Sequence, residues 1–590
     1  MDKLLQELIL KAEKPARYTG GEPNQPIMTK EGVRVCMCMP DLYEVGMSNL
    51  GLKILYHRIN DLSYAECERS FAPADDFGKI LRENDYPLFS LETSTPLKDF
   101  DLLGFSVQYE LLYSNILYML DLAKIPFYSC ERGDEYPILM AGGPCSVNPE
   151  PFADFFDLIN VGEGEDMLPE IISLYKEHKE KGFNKQKFLE AAQGIKGVYV
   201  PALNTPSNRR KVQKAYVEDF DKCYYPTKQL VPSIEAVHDR AMVELYRGCA
   251  NGCRFCQAGF WYRPIRYRKV DTILKLCEET VKETGFEEIS LGSLSTGDYP
   301  GIYDLIPGLK PCSDNYHVHF ALPSLRLDTF KAEFSQEARK SSLTFAPEAG
   351  TQRLRDVINK NVTDEDIMRS VEYAFGSGYQ SIKLYFMLGL PTETQEDLDG
   401  IVQICRNIKH KYREMHGGKG APNISVSCAV FVPKPFTPFQ WAEQITPEQM
   451  IEKQRYLLAE LKKVTCVDFK YHDNTTSQIE GVFARGDRRL ARVIEKAYRM
   501  GAKMDGWTEF FRYDIWLKAL EECGISPREY TREWKVDEEL PWGFIDSGVS
   551  EKYFLHEKEL SEKGLPTASC NKGCKGCGFK KLCNCNEWGE

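Results

Sequence analysis

The chain runs to 590 residues, 43 % hydrophobic and 27 % charged, with a formal net charge of -12. That length exceeds what one hydrophobic core holds, so about two to four domains are expected. The acidic balance counts against broad electrostatic binding of nucleic acid, leaving only a local basic patch to provide it, and no apolar run nears the ~18 residues of a membrane span.

Residues 1–30 open on "MDKLLQELILKAEKPARYTG", whose apolar positions are interrupted by acids and bases. This predicts an amphipathic N-terminal helical segment rather than a signal peptide, and with it a cytoplasmic protein with no membrane partner. Residues 31–200 alternate apolar runs ("GVRVCMCMP", "DLLGFSVQY", "YPILMAGGP", "DLINVGEGE") with helical patterns such as "NLGLKILYHRIND". Buried strands alternating with helices predict a doubly wound, Rossmann-like α/β domain with a parallel sheet. Its ligand is expected at the carboxyl ends of the strands.

Residues 201–240, rich in turn formers, read as a linker. A second alternation over 241–460 ("AMVELYRG", "EEISLGS", "HVHFALPS", "SSLTFAPEAG", "SIKLYFMLGLP", "ISVSCAVFVP") predicts a full or partial β/α barrel with its chemistry at the strand ends. Residues 461–560 read as mostly helical and 561–590 as a cysteine-rich tail. The charged stretch His472, Asp473, Arg485, Asp487, Arg488, Arg489 and Arg492 reads as a solvated helix face, with a phosphate- or RNA-facing surface as the alternative.

Twenty cysteines in an acidic chain without an export signal predict reduced thiols, and clustered ones predict metal. The clusters are Cys249/Cys253/Cys256 and Cys570/Cys574/Cys577/Cys583/Cys585. The first lies in "RGCANGCRFC". A structural zinc closes its shell with four protein ligands; three cysteines on one loop leave a shell open. A cubane iron–sulfur cluster with one iron not held by cysteine fits that shortage, with Phe255 covering it. A zinc knuckle completed from elsewhere is the alternative.

The C-x-x-x-C-x-aromatic-C loop resembles the signature of radical S-adenosylmethionine (SAM) enzymes. "SLGSLSTGDY", "LPSLRLD", "FAPEAGTQRLR" and "LGLPTET" follow successive strands in the order seen in that superfamily. Together with the doubly wound domain, this resembles the cobalamin-binding branch, and an uncharacterised bacterial group within it. The resemblance implies a [4Fe–4S] cluster on Cys249, Cys253 and Cys256, with SAM on its open iron. It places SAM against Phe255, Ser293, Ser295, Asp298, Arg326, Glu348, Arg353 and Gly389. Reductive cleavage of SAM would give a 5′-deoxyadenosyl radical that takes hydrogen from an unactivated carbon.

Cobalamin domains of this type often carry D-x-H-x-x-G. Here "DLYEVG" keeps Asp41 and Gly46 but has Tyr43 in place of the histidine, so cobalamin is expected without a histidine on cobalt. Ser106, Gly142 and Gly143 match the later parts of that pattern. The tail cysteines are expected to hold an auxiliary iron–sulfur cluster or zinc. The function implied is cobalamin-dependent methylation of a substrate whose identity the sequence does not carry, with an electron donor such as flavodoxin or ferredoxin. The alternatives are a methylthiotransferase-like RNA-modifying enzyme with a relic cobalamin fold, and a non-catalytic zinc-binding module.

Overall fold

The computed structural model describes residues 1–205, 207–322, 343–471 and 473–579. Arg326, His472, Cys583 and Cys585 lie outside them.

The first sheet is built from Val33–Met39 (β1), Ala65–Phe71 (β2), Leu102–Ser106 (β3), Ile138–Gly142 (β4), Leu158–Asn160 (β5) and Val198–Tyr199 (β6). Its order is β2-β1-β3-β4-β5-β6; all pairs are parallel except β5–β6. The chain steps outward from β1 to β2 and returns past β1 to β3. The switch point therefore lies at the carboxyl ends of β1 and β3, where ligands of such sheets bind.

Strand side chains alternate between faces, and β1 shows what each face meets. Val33, Val35, Met37 and Met39 pack with Leu52, Tyr56 and Ile171 from the helices Leu50–Asn60 and Met167–Glu180. Cys36 and Cys38 join the opposite core with Phe77, Ile116 and Leu120. That second core also takes in Val482, Phe483, Val493, Ile494 and Trp516. Three late helices, Asn474–Ala484, Leu490–Arg499 and Tyr513–Glu522, thus complete the N-terminal domain. Residues 201–240 are less loose than a linker. Val212–Gln213 (β7) pairs with Ile545–Asp546 (β17), and Lys214 is buried.

The second domain starts at Ala241–Glu244 (β8), followed by the antiparallel pair Tyr246–Arg247 (β9) and Arg266–Tyr267 (β10). Glu288–Gly292 (β11), His319–Ala321 (β12), Leu343–Glu348 (β13), Ser381–Leu388 (β14), Asn423–Val430 (β15) and Val467–Tyr471 (β16) continue it. Among the described residues these form two parallel sheets, β12-β11-β8 and β13-β14-β15-β16, as expected for a partial β/α barrel. On β14, Ile382, Leu384, Phe386 and Leu388 pack against the outer helices. Lys383 and Tyr385, on the other face, are exposed. No helix among the described residues is long and apolar enough to cross a membrane.

Candidate functional site

Gly248 turns the chain out of β9 with φ +93°; a Cβ there would sit 2.9 Å from the Tyr262 carbonyl oxygen. Glycine is therefore required where the cysteine loop begins. Cys249, Cys253 and Cys256 are all partly exposed and form no disulfide. Asn251 Nδ2 donates to Asp298 Oδ2 (2.8 Å), and Ser295 Oγ donates to the same oxygen (2.6 Å). Tyr246 donates to the Ser295 carbonyl. On the other side, Asn359 Nδ2 donates to the Gly252 carbonyl (2.9 Å). Arg254 is fully buried and donates to Glu557 (3.0 Å) and to the carbonyls of Val357 (2.9 Å) and Leu565 (2.8 Å).

Burial pushes the Cys256 thiol up to about 12, and Cys253 and then Cys249 add to it. A thiol held up in this way ionises readily only when a metal replaces its proton. Three soft donors on one loop suit iron–sulfur ligation. Among the described residues, no three His, Cys, Asp or Glu side chains are gathered as a single-ion site.

The residues expected around SAM divide. Asp298 is tied directly to the cysteine loop through Asn251, Ser295 is joined to it through Asp298, and Ser293 Oγ lies 2.9 Å from Thr296 Oγ1 beside them. Glu348, at φ +68°, pairs with Lys360 at 3.3 Å. Lys360 also acts electrostatically on Cys256. Phe255 packs against a cluster that includes Leu354, Ile358 and Phe431. Gly389 has φ +81° and donates its N–H to Glu393 (3.1 Å). Arg353 departs from expectation: its guanidinium is bound to the buried carboxylate of Asp397 and donates to the Thr392 carbonyl (2.9 Å).

A cavity of 430 Å3 lies between the carboxyl ends of the first sheet and the first strands of the barrel. Ser106, Gly142 and Gly143 line it from one side, and Met242, Glu244, Arg247 and Ser293 from the other. Gly143 sits at φ +98°, with a Cβ position 2.7 Å from the Val107 carbonyl oxygen. The side-chain carbonyl of Asn160, also lining the cavity, is buried with no hydrogen-bond partner. An orphaned acceptor beside a glycine cradle fits a large group carrying hydrogen-bond donors, as the amide-fringed corrin of cobalamin does.

Asp41, Tyr43 and Gly46 are not among its walls. The Tyr43 hydroxyl donates to Glu22 (3.0 Å) and accepts from the Ser233 N–H (3.1 Å), so the ring belongs to the core. Asp41 accepts from Trp507 Nε1 (3.1 Å), and Gly46 leaves room for the Phe71 ring, 2.0 Å from where a Cβ would stand. The D-x-Y-x-x-G segment thus has its side chains engaged in contacts within the protein.

Sequence reasoning missed Glu163 and Glu165, whose carboxylates hold Arg247 at 3.4 and 2.6 Å together with Glu244 at 2.9 Å. The signal was "VGEGE" at a strand end. The arginine stretch is not a solvated face throughout. Arg485 is fully buried and donates to the carbonyls of Gln440 (3.1 Å) and Ala442 (2.8 Å), and Arg488 pairs with Glu150 at 3.2 Å.

The tail docks on the cysteine loop. The Cys570 N–H donates to the Ala250 carbonyl (2.9 Å), as does Ser569 Oγ (3.3 Å). Cys577 is buried and Cys574 exposed. Nearby, Arg263, 2 % exposed, lies over the rings of Phe260 (4.8 Å) and Tyr553 (5.5 Å).

Two family profiles match this frame: one described as the N-terminal region of radical SAM proteins over residues 51–201, the other as the radical SAM superfamily over residues 243–405. The chain carries a radical SAM domain. This radical SAM enzyme is 28 % identical over 503 residues to an uncharacterized protein of Methanocaldococcus jannaschii, a match covering 84 % of the chain and 99 % of the relative. It is 23 % identical over 359 residues to the heme chaperone HemW of Bacillus subtilis, covering 54 % and 90 %. Among solved structures it is similar to the radical SAM methyltransferase TsrM from Kitasatospora setae with cobalamin and a [4Fe–4S] cluster bound. There the identity is 14 %, the TM-score 0.49, and the coverage 84 % of this chain and all of that one.

Proposed function

We propose that this radical SAM enzyme is a cobalamin-dependent methyltransferase acting on an unactivated carbon. The observation that carries the reading is the shared cavity: Ser106 and Gly142 at the sheet's carboxyl edge and Ser293 of the barrel line one space. A group lying on the first sheet therefore faces the SAM motif directly. When bound, the cluster supplies an electron for SAM cleavage and cobalamin supplies the methyl group.

The chain's own residues do the rest. Cys249, Cys253 and Cys256 hold the cluster. Asn251, Ser295 and Asp298 fix the loop against the motif that receives the SAM ammonium, where a carboxylate makes the stronger, charge-assisted bond. Asn160 offers its free carbonyl to a corrin amide, and Phe255 keeps water from the cluster. An electron donor such as flavodoxin or ferredoxin completes the cycle.

Anaerobically reconstituted protein is expected to retain corrin and to move a labelled methyl group from SAM to a corrin-bound or product pool. Gly142→Leu adds bulk to the cavity without backbone strain, because a Cβ there meets nothing nearer than 3.5 Å. The variant should lose corrin and keep its iron. Corrin retained at the wild-type level by Gly142→Leu, or absent from the wild type, would overturn the reading.

The tail is assigned a second metal site with Cys570, Cys574 and Cys577 among its ligands, and Cys583 and Cys585 drawn from outside the described residues. The cysteine spacing carries it: Cys570, Cys574 and Cys577 repeat the C-x-x-x-C-x-x-C pattern of the first loop, on which this segment docks. Truncation before Cys570 is expected to lower the metal content per chain by one cluster or one zinc; elemental analysis showing no change removes the site.

A further inference from the structure

A second cavity, of 200 Å3, adjoins the first, with Gln108 and Pro144 lining both. Gln257, the residue after Cys256, forms part of its wall and donates to the Pro435 carbonyl (3.1 Å). The cavity thus lies beside the cysteine loop and opposite the sheet edge. Its floor is charged. Lys434, from the segment after β15, pairs with Glu110 of the first domain and with Glu480 of the helix Asn474–Ala484 (2.9 Å). Tyr109 donates to the other oxygen of Glu480 (2.9 Å). Asn148, 3 % exposed, lines the same space, and its side-chain carbonyl has no partner.

Two carboxylates share one ammonium here, beside an unpaired acceptor. Uncompensated negative charge in a half-buried space is costly, and an arriving cation would relieve it. Of the two carboxylates, Glu110 lines the cavity itself. Aromatic and apolar walls from Tyr113, Pro144 and Pro435 leave room for a short carbon chain behind that cation.

We propose that this cavity is the substrate subsite and that it receives a cationic nitrogen, an ammonium or guanidinium group, against Glu110, with Glu480 behind Lys434 and Tyr109 adding to the negative field. The proposal rests on the reading that radical chemistry occurs at the cysteine loop, and it names the class of substrate for it.

The test titrates the cluster-loaded full chain, without oxygen, with n-butylammonium, n-butanol and butyrate, followed by saturation-transfer NMR. Butylammonium is expected to bind at least about tenfold tighter than butanol, and butyrate not at all. Glu110→Gln and Glu480→Gln should each weaken butylammonium. Lys434→Gln should tighten it, a sign that a damaged fold does not produce. Equal binding of the three probes, a preference for butyrate, or weaker binding in Lys434→Gln overturns the subsite, leaving the ion pairs as a clamp between domains. SAM cleavage to 5′-deoxyadenosine, measured on the same samples, keeps the two claims apart. Normal cleavage without charge preference sinks the subsite alone. Charge preference in a chain that cleaves SAM without its three cysteines sinks the radical assignment alone.

Discussion

Replacing Cys249, Cys253 and Cys256 together by alanine is expected to reduce 5′-deoxyadenosine formation to background and to remove the iron held on the loop. The thiols are the loop's soft donors, and the neighbouring side chains are committed elsewhere: Asn251 to Asp298, Arg254 to Glu557 and main-chain carbonyls. Nothing within the loop can stand in for a lost thiolate. Cys405 and Cys428, buried in the core behind β14 and β15, provide the control. Alanine there should leave cleavage intact, because these thiols fill space. The upward push on Cys256 adds a sign. Iron uptake expels the thiol proton, so loading should strengthen as pH rises and fail as it falls. Iron and deoxyadenosine retained in the triple variant would show that the cluster sits elsewhere.

The largest expected effect on stability is at Arg254. Its guanidinium and the Glu557 carboxylate are both out of water, with 0 % and 1 % exposure. Thr567 Oγ1 also donates to that carboxylate (2.9 Å). Arg254→Met would leave a buried carboxylate without its cation and two carbonyls without donors. Breaking such a pair costs about 3–5 kcal/mol. Hydrogen exchange should report it as loss of protection in the helix Glu551–Glu562, by about a hundredfold or more. The double variant Arg254→Met/Glu557→Gln should recover part of the loss, since it removes the stranded charge. Arg512→Met, which breaks an exposed pair with Asp514, should change nothing measurable. Equal protection in Arg254→Met and wild type would mean that the pair is incidental.

The strands β1, β3, β4 and β5 were legible because both of their faces are buried, which makes their sequences continuously apolar. β2 was not. "AECERSF" carries Glu66, Glu68, Arg69 and Ser70, and the polar letters hide a strand. Arg69 is 1 % exposed and sits between Glu22 at 2.9 Å and Glu92 at 2.6 Å, a pairing that depends on segments far apart in sequence. The same limit hid the Glu110–Lys434–Glu480 cluster, whose members meet only when three regions of the chain are in place. The cysteine loop stood out in the sequence because its spacing is local. The turn of Tyr43 toward Glu22 and Ser233 was not legible, because a motif frame gives position along the chain but not the direction in which a side chain leaves it. The late helices could be read as helices, but their packing on the first domain rests on surface shape that no local periodicity encodes.

The contact between residues 250–254 and residues 557–570 has a consequence for the order of events during synthesis. A ribosome releases the first domain and the cysteine loop well before the residues that bury Arg254 and dock on Ala250. The face of the first sheet that awaits Phe483 and Trp516 also stays uncovered for that interval. The nascent chain therefore carries a half-formed, thiol-bearing loop and an open apolar surface for hundreds of codons. The loop gains its last contacts only after translation has passed residue 570. Products truncated by premature stop codons would emerge as sticky, metal-free chains for chaperones to clear.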